Sequence, residues 1–513
     1  MNKYDYDAVV IGSGFGGLGA ALKLSEAGLK VALLEALNYP GGCASTFKRS
    51  GYAFESGATL FSGFAHGMYF DELIKRYSMP VTIDWIDPLV EIRTADWTLP
   101  VGRSRENLQD ALVKLGVPPK PLAEFFAMQR EVADILWGLF DDPDLLPPLD
   151  FRSLLSHCRS LPRYAKLLPH VNHSLHSVLK RYRLHDCEPL TTFLNALCQI
   201  TIQANLYDAE APFALATMDY YFRGTGHIRD GIGSLARAMV SAFEHNGGTM
   251  HYTTRVRAIH SSAQGWHLET NKRQIHTNYV VGNLLPHAAE QLTDGLTTPR
   301  LKRLKRQLDG GWGAAMLYIA LEHSQSLPTK ASHIEAVRDS SSPLIEGNHV
   351  FASLSALTDQ GRAPEGQRTL TVSTHVPISK YQAMSEPERA QYISAVQQTM
   401  RETLRARAPE LLENEVLTMP ASPRTFERFT KRPLGRVGGV PRKVGLYHYL
   451  GMTPTQVAPK FYLVGDSAFP GQSTLACALG GQRAATALLR TLNLRSLPSS
   501  TNPTMTQPSA PQH

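Results

Sequence analysis

Cysteine is scarce in this 513-residue chain: there are five, with neither a C-x-x-C pair nor the spacing of a metal site. Such usage is typical of reduced thiols and gives no reason to expect a metal centre. The chain also lacks an apolar run of about eighteen residues, the minimum for a membrane-spanning helix. Its first predicted strand begins at about residue 6, which leaves no room for a signal peptide. We therefore expect a cytoplasmic protein.

Acidic residues are missing from the segment between Phe151 and His185. This segment contains seven Lys or Arg residues, so its charge of +7 equals the net charge of the whole chain. Leucines interleave with the basic residues, a composition that suits the surface of an anionic membrane, where each basic group contributes about 1 kcal/mol. We expect peripheral contact with the cytoplasmic membrane face, and an ordinary solvated helical face explains the charge equally well. No nucleic-acid-binding motif accompanies the charge, so nucleic acid is not an expected partner.

The C-terminal residues 496–513 contain no Lys, Arg, Asp or Glu and are rich in Ser, Thr, Pro and Gln. Chains of this composition bury too little apolar surface to offset the entropy of ordering. A disordered tail is expected there.

Clustered glycines follow the first apolar run of the chain, in the sequence VVIGSGFGGLG. Tyr6–Ile11 is short, apolar and β-branched, as a buried strand would be. Gly12, Gly14 and Gly17 then have the spacing G-x-G-x-x-G. In a dinucleotide fold the first allows a tight turn, the second lets a pyrophosphate approach the backbone, and the third lets a helix pack closely on the strand.

The residues that follow complete the pattern of strand, helix and strand. Gly16–Ala27 has helical spacing, and Gly28 is placed to end that helix in the left-handed region. Leu29–Leu34 is predicted as a second strand, and Glu35 at its end can accept hydrogen bonds from ribose hydroxyls. The start of the helix offers unpaired N–H groups to phosphates. The sequence therefore predicts an adenine dinucleotide site.

The next stretch resembles flavoproteins of the amine oxidase and phytoene desaturase superfamily. Gly41 and Gly42, followed by Ser45 and Thr46, resemble the loop that passes the flavin in that family, and Gly51 to Gly57 resembles the strand pair after it. Many amine oxidases have an arginine shortly before the Gly-Gly pair. This chain has Asn-Tyr-Pro at 38–40 instead, which is closer to the bacterial carotenoid desaturase and cis–trans isomerase branch.

The far end of the chain, from Lys460, resembles the second FAD signature of the same family. By that resemblance Gly465 and Asp466 follow a strand, and the aspartate binds the ribityl chain of FAD. The helix after them, starting near Thr474 and Leu475, points at the flavin ring. A pair of glycines at 480–481 would let this helix pack closely against the first one.

The resemblance extends over roughly residues 5 to 490, and it places a backbone contact to adenine at Val256. It implies an α/β fold, α+β overall, with a Rossmann-like FAD-binding domain of the glutathione-reductase and amine-oxidase type and an inserted substrate domain. We expect the FAD domain to be discontinuous, built from residues 1–70, 215–290 and 445–495. Residues 71–214 are expected to be mostly helical and to face substrate and membrane, and residues 291–444 to be sheet-rich and to form a wall over the flavin.

The same resemblance implies the function. A flavin at the floor of a long apolar tunnel accepts a hydride at N5, and the first hypothesis is desaturation of a carotenoid-type polyene with FAD reoxidised by a quinone or oxygen. A redox-neutral carotenoid cis–trans isomerase, or a polyene saturase, would use the same fold with reduced FAD. An amine or amino-acid oxidase is the alternative from another class, and a flavin-binding module without catalysis is the last.

The proton acceptor is not determined by the sequence. Five residues are candidates, on their chemistry and their place near the flavin segments: Glu55, His227, Asp230, His349 and His375. Hydride transfer with solvent as the proton sink stays open beside them.

Overall fold

The computed structural model describes residues 4–141, 145, 151–450, 452–453 and 455–492. The first half of the chain contributes the strands β1 (Tyr6–Ile11), β2 (Val31–Leu34), β3 (Thr46–Arg49), β4 (Tyr52–Glu55), β5 (Ile83–Asp84), β6 (Val90–Arg93), β7 (Thr98–Val101), β8 (His227–Ile228) and β9 (Thr249–His251). The second half contributes β10 (Val256–Ser262), β11 (Gly265–Thr270), β12 (Gln274–Gly282), β13 (Trp312–Glu322), β14 (Ser332–Val337), β15 (His349–Leu354), β16 (Gln367–Pro377), β17 (Glu415–Ala421), β18 (Thr455–Ala458) and β19 (Phe461–Leu463).

Helices lie between many of these strands, both before and after residue 220. Those before residue 220 are α1 (Phe15–Glu26), α2 (Tyr69–Arg76), α3 (Arg105–Lys114), α4 (Pro119–Asp141), α5 (Phe151–Tyr164), α6 (Leu175–Arg181), α7 (Glu188–Thr201) and α8 (Ala211–Thr217). Those after it are α9 (Gly233–His245), α10 (Pro286–Leu292), α11 (Pro299–Asp309), α12 (Ile378–Ala383), α13 (Glu386–Arg407), α14 (Pro423–Thr430), α15 (Tyr447–Leu450) and α16 (Thr474–Thr491).

A parallel sheet forms the first layer, in the order β9, β2, β1, β12 and β19, with β10 and β11 extending β12 as an antiparallel meander. Its central strands are buried on both faces, which is why β1 and β2 are almost continuous apolar runs. The strands come from three separate parts of the chain, within residues 6–34, 249–282 and 455–463. The carboxyl ends of the parallel strands therefore meet at one edge although their residues are far apart in sequence.

Helices α1 and α16 pack directly against each other on the same face of this sheet, with their backbones in close contact. A Cβ added to Gly481 would lie 2.0 Å from the carbonyl oxygen of Gly16, and one added to Gly19 would lie 2.4 Å from that of Ala478. Gly17 packs as closely on the preceding strand, since its Cβ would lie 2.0 Å from the Gly12 carbonyl oxygen. These glycines hold the first and last helices of the domain together.

A second, mainly antiparallel sheet forms the other layer, in the order β17, β13, β16, β15, β14, β6 and β7. Strands β13 and β16 pair directly along their whole length, with Ala314 opposite His375. Helix α13 covers one face of this sheet, where Ile393, Val396 and Met400 join its core. The opposite face of the sheet remains available to line a cavity.

The segment 71–214 is largely helical, but it also contains β5, β6 and β7. Strand β6 pairs in parallel with β14, so the second sheet begins about two hundred residues before the sheet-rich segment expected at 291–444. The sequence offers little warning, because β6 and β7 are only four residues each. No helix among the described residues is long and apolar enough to cross a bilayer. The predicted disorder of 496–513 concerns residues outside the described ranges.

Candidate functional site

Four loops meet where the parallel strands end. Gly12 follows β1, Glu35 follows β2, Asn283 follows β12, and Gly465 with Asp466 follows β19 by one residue. In open sheets of this kind, ligands bind outside the carboxyl ends of the strands. The strand order of the sheet thus brings together in one site five residues from distant parts of the chain: Gly12, Glu35, Asn283, Gly465 and Asp466.

Glycines surround the side chain of Asn283 in the middle of this site. A Cβ on Gly14 would lie 2.5 Å from the Asn283 amide nitrogen, and one on Gly16 would lie 2.6 Å from the backbone nitrogen of Gly465. A Cβ on Gly465 would in turn lie 2.4 Å from the Asn283 amide oxygen. Because a Cβ at any of these three positions would collide with Asn283 or Gly465, the glycines let the backbone pack closely around the Asn283 amide.

Helix α1 begins at this point with its first N–H groups unclaimed by any capping side chain among the described residues. Its N-cap is Gly14, which has no side chain to accept hydrogen bonds from them. Phe15 and Gly16 line the cavity at the start of the helix. The positive end of the helix dipole and these N–H groups suit a phosphate.

Glu35 lies at the edge of the cavity and is held by three hydrogen bonds. Its Oε2 accepts from the backbone N–H and the hydroxyl of Ser13 at 2.9 and 2.6 Å, and its Oε1 accepts from the backbone N–H of Leu37 at 2.8 Å. The carboxylate is buried yet still lines the cavity. A carboxylate oxygen can accept more than one hydrogen bond, so ribose hydroxyls can still donate to it.

Asp466 forms an ion pair that the sequence did not suggest. Arg432 Nη2 donates to Asp466 Oδ2 at 2.7 Å, and both side chains line the cavity. Burial alone would lower the pKa of Arg432, but the negative charge of Asp466 leaves that pKa raised overall. Burial also raises the pKa of the neighbouring Cys43 and Cys477 thiols, so both stay protonated.

One cavity of about 610 Å³ connects these groups, a volume within the range of ligand sites. Most residues predicted to bind the cofactor line it: Gly12, Gly14, Glu35, Gly41, Gly42, Val256, Gly465, Asp466 and Thr474. The others stand behind its wall. Gly17 packs on the strand, Ser45 Oγ donates to the Gly42 carbonyl at 2.8 Å, and Thr46 Oγ1 accepts from Gly233 N–H at 2.9 Å. Leu475 packs in the core under Gly63.

The distal wall of the cavity is the open face of the second sheet. It is built from alternate residues of three neighbouring strands, together with residues of α7 and the turn after α8: Ala314, Met316, Phe351, Ser373, His375, Ile200, Thr201, Tyr220 and Tyr221. The charged residues that line the cavity, among those the structure describes, are Glu35, Arg255, Arg257, Lys431, Arg432 and Asp466. All of these lie at the end formed by the strand termini and the loops beside them. The distal wall is therefore uncharged.

Glu55, one of the predicted proton acceptors, lies outside the cavity in a buried ion pair. Its Oε1 accepts from Arg362 Nη1 at 2.7 Å and from the N–H of Ile232, and its Oε2 accepts from Thr46 Oγ1 at 2.8 Å. These contacts join the β3–β4 hairpin, the start of α9 and the loop before β16. The position of Glu55 makes it a structural residue.

His227 and Asp230 also lie outside the cavity wall. His227 Nε2 is 2.9 Å from Asp359 Oδ2, and the backbone N–H of Asp230 donates to Asp359 Oδ1 at 3.0 Å. Asp230 has φ of 62° and Gly231 has φ of 98°. These left-handed residues directly precede α9, which begins at Gly233.

Of the remaining candidates, His375 lines the cavity and His349 does not. His349 Nε2 is 2.9 Å from Glu335 Oε2, and Glu335 Oε1 accepts from the hydroxyl of Tyr221, which does line the cavity. Burial, with the charge of His349 adding to it, lowers the pKa of His375 to about 3, so its imidazole is neutral. His375 is hence the candidate that can meet a substrate directly.

Sequence reasoning missed Asn283, Arg432 and Glu335. An asparagine directly after an apolar strand, in YVVGN, is a detectable signal for the first of these. Arg432 and Glu335 carry no local signal, because their partners are 34 and 14 residues away.

The family model of flavin containing amine oxidoreductases matches residues 15–489. The chain belongs to this family. It is therefore an FAD-dependent oxidoreductase, as the resemblance to the flavoprotein superfamily predicted, and the predicted α/β fold class is confirmed.

Two kinds of curated relative of this flavin oxidoreductase are named for carotenoids. It is 26% identical to a chloroplastic prolycopene isomerase of Daucus carota over 505 residues, covering 93% of this chain and 79% of the relative. It is 23% identical to a neurosporene-forming phytoene desaturase of Cereibacter sphaeroides over 500 residues, covering 90% and 91%. These matches confirm the resemblance to the carotenoid branch.

Solved structures share the fold at lower identity. A putrescine oxidase bound to putrescine superposes with a TM-score of 0.60 at 14% identity, covering 94% of this chain and 99% of that one. A cyclohexylamine oxidase from Brevibacterium oxydans gives 0.59 at 15% identity, covering 95% and 100%. At these identities the likeness concerns the fold alone.

Proposed function

We propose that this flavin oxidoreductase acts on a carotenoid-type polyene, and that desaturation is its reaction. The observation that carries the proposal is the uncharged distal wall, which offers a long hydrocarbon apolar surface and no ionic partner. A protonated amine placed against that wall would lose its hydration without gaining a counter-ion. The carotenoid names of the curated relatives support the same substrate class.

The residues proposed to hold FAD follow from the site. Glu35 would bind the ribose of the adenosine half, the start of α1 the pyrophosphate, and Asp466 the ribityl chain. The cavity of about 610 Å³ that runs from Glu35 past Gly14 to Asp466 fits the cofactor in volume and in the polar groups along it. When bound, FAD supplies the hydride acceptor, with a quinone or oxygen proposed to reoxidise it.

The chain's own residues would orient the polyene and exclude water. The β13–β16 face, with Ala314, Met316 and the ring of Phe351, would lie along the hydrocarbon. His375 in this wall has an imidazole whose pKa burial lowers to about 3, so it presents an uncharged polar group to the substrate. Its Nε2 is 3.1 Å from the side-chain nitrogen of Gln203, which fixes the orientation of the ring.

Redox-neutral cis–trans isomerisation is the second candidate, favoured by relatives named prolycopene isomerase at 24–26% identity. An anaerobic incubation of the FAD-loaded enzyme with polyene-bearing liposomes separates the two. Desaturation predicts that oxidised flavin absorption is lost while the polyene absorption moves to longer wavelength. Isomerisation predicts a change of polyene geometry only after the flavin is pre-reduced, with no net electron flow. Bleaching by simple amines, without any change in polyenes, would refute both.

The basic segment 151–185 is proposed to contact the membrane. Leu161 and Leu168 are 60% and 70% exposed on it, among exposed Arg159 and Arg163. Lys166 forms an ion pair with Glu131 of α4, so part of the segment's charge is already neutralised. The exposed leucines would then contribute as much to binding as the basic groups.

Flotation with anionic liposomes tests this contact. Replacing Leu161 and Leu168 by serine is expected to lower the membrane partition coefficient by about tenfold or more, because full burial of each leucine contributes about 1.5–3 kcal/mol. Leu446, which is 58% exposed elsewhere, is the matched control, and Leu446→Ser should bind as the wild type does. Equal binding of all three proteins would refute the proposed membrane face.

A further inference from the structure

A chain of polar side chains leads away from the cavity wall into the protein. Thr59, which lines the cavity, accepts a hydrogen bond on its hydroxyl oxygen from Ser353 Oγ at 2.7 Å. Ser353 Oγ is 2.8 Å from Nδ1 of His333. Ser353 and His333 face each other across β15 and β14 in the sheet register, so the backbone fixes their contact.

The unusual feature of His333 is its second ring nitrogen, Nε2, which does not contact Ser353. The residue is 2% exposed, and its Nε2 has no hydrogen-bond partner among the described residues. Burial, with the charge of His227 adding to it, lowers the pKa of His333 to about 3, so the ring is neutral. A buried polar atom without a partner is costly and is normally explained by water or by function.

Beyond His333 lies the buried pair of His227 and Asp359. The ring centroids of His333 and His227 are 6.1 Å apart. At that separation, a water molecule between the two rings would connect them more readily than a direct hydrogen bond from one ring to the other. Burial raises the pKa of Asp359, but the hydrogen bond and charge of His227 outweigh it and leave that pKa lowered. The carboxylate therefore stays ionised, and its negative charge favours a positive charge on the ring of His333. Arg229, two residues after His227, is exposed, so this pair lies near the surface.

We propose that Thr59, Ser353 and His333 form a proton relay from the cavity to the His227–Asp359 pair. The relay rests on the proposed desaturation, in which the polyene loses a hydride to FAD and a proton from the adjacent carbon. Loss of the hydride leaves the polyene cationic, which makes that C–H acidic enough for a hydroxyl oxygen to accept its proton.

The transfers balance without any further reactant. As Thr59 takes the substrate proton, it gives its own to Ser353, and Ser353 gives its own to Nδ1 of His333. His333 then loses the proton on Nε2 through water toward His227 and Asp359, and from there to solvent. Each O–H or N–H bond that breaks is matched by one that forms. In the resting chain Ser353 donates to Thr59, so before the transfer both hydroxyls must turn toward His333 and the His333 ring proton must lie on Nε2. The transfer itself returns Ser353 to its resting direction.

The test compares FAD-loaded variants in a single anaerobic turnover with polyene-bearing liposomes. Ser353→Ala interrupts the relay and is expected to slow conversion about 100-fold, at the lower end of the range for positioned proton transfer. It should also change the solvent deuterium isotope effect, which a merely structural role would not. Ser353→Thr keeps the hydroxyl and should restore most of the rate. Ser355→Ala, which removes a hydroxyl equally buried nearby, should stay within about twofold of the wild type.

A folded, FAD-loaded Ser353→Ala with the wild-type rate and isotope effect would overturn the relay. Thr59→Val, which keeps the shape of the cavity wall, provides the same test should Ser353→Ala fail to fold. Nitrogen-15 NMR of the histidines in the resting holoenzyme is independent of turnover. It should show a neutral His333 whose Nδ1 signal moves in Ser353→Ala, and a protonated or unresponsive ring would count against the relay. If the wild type converts no polyene, the proposed function fails, and the NMR result still decides whether the hydrogen-bonded chain exists.

Discussion

Replacing a glycine in a helix by alanine should have opposite effects at two places in this protein. Gly481 lies inside α16 against α1, whereas Gly138 is exposed inside α4. In a helix interior, alanine is favoured over glycine by about 1 kcal/mol, so helix propensity alone predicts that both variants are more stable. The surroundings of the two glycines decide the outcome.

The contact at Gly481 is with backbone and cannot yield easily. The new Cβ would lie 2.0 Å from the Gly16 carbonyl oxygen and 2.8 Å from the nitrogen of Ala20, whereas ordinary contact begins at 3.4 Å. One helix would have to retreat by roughly 1.4 Å. Overpacking typically costs about 1–3 kcal/mol and sometimes more, which exceeds the gain in propensity. At Gly138 nothing lies within 4 Å of the new Cβ, so the gain remains.

The measurement is the apparent melting temperature of the FAD-loaded protein, with the FAD dissociation constant determined alongside. Gly481→Ala should lower the melting temperature and also weaken FAD binding, because α1 carries the proposed pyrophosphate site at its start. Gly138→Ala should raise the melting temperature slightly and leave FAD binding unchanged. A Gly481→Ala protein at least as stable as the wild type, with wild-type FAD affinity, would refute the reasoning.

Three further predictions concern charged and titratable groups. Asp466→Asn should raise the FAD dissociation constant about tenfold or more in a fluorescence titration, because it removes the proposed ribityl ligand and leaves Arg432 without its counter-ion. Arg362→Met should destabilise the protein by about 3–5 kcal/mol in denaturant unfolding, since it leaves the buried carboxylate of Glu55 unpaired, and Arg362→Lys should recover part of the loss. His333 has a folded pKa of about 3 and an ordinary pKa of 6.5, so only the unfolded state gains a proton as pH falls below about 6.5. The contribution of His333 to the free energy of unfolding is therefore present above that pH and falls by about 2 kcal/mol at pH 5. Between pH 7 and pH 5, the melting temperature of His333→Gln should fall less than that of the wild type.

The sequence was most informative where one local pattern determines the structure. β1 was predicted residue for residue, and α1 within one residue at each end, because a buried strand, three glycines and a helix follow one another without a gap. The predicted strand Leu29–Leu34 begins at Val31 instead, since residues 29 and 30 still belong to the connection after Gly28. Local patterns thus determined the elements, and errors were confined to their ends.

Contacts between distant segments were beyond the reach of the sequence. Strand β6 joins the second sheet by pairing with β14, and four residues with two inward side chains give no sign of which sheet they enter. The pairing of Arg432 with Asp466 is similar, since the FAD signature marks the aspartate but nothing local marks the arginine as its partner. Such features depend on register between segments, which composition and periodicity do not contain.

The loop between β15 and β16 explains why so many candidate proton acceptors lie outside the cavity. Asp359 in this loop binds His227 and the backbone of residue 230, and Arg362 in the same loop binds Glu55. A loop that joins two sheets must bury polar groups, and buried charges are stable there only when they are paired. His227, Asp230 and Glu55 therefore pair with residues of this loop, and these contacts connect the sheets. In the proposed relay, the His227–Asp359 pair keeps a route to the cavity through His333, Ser353 and Thr59.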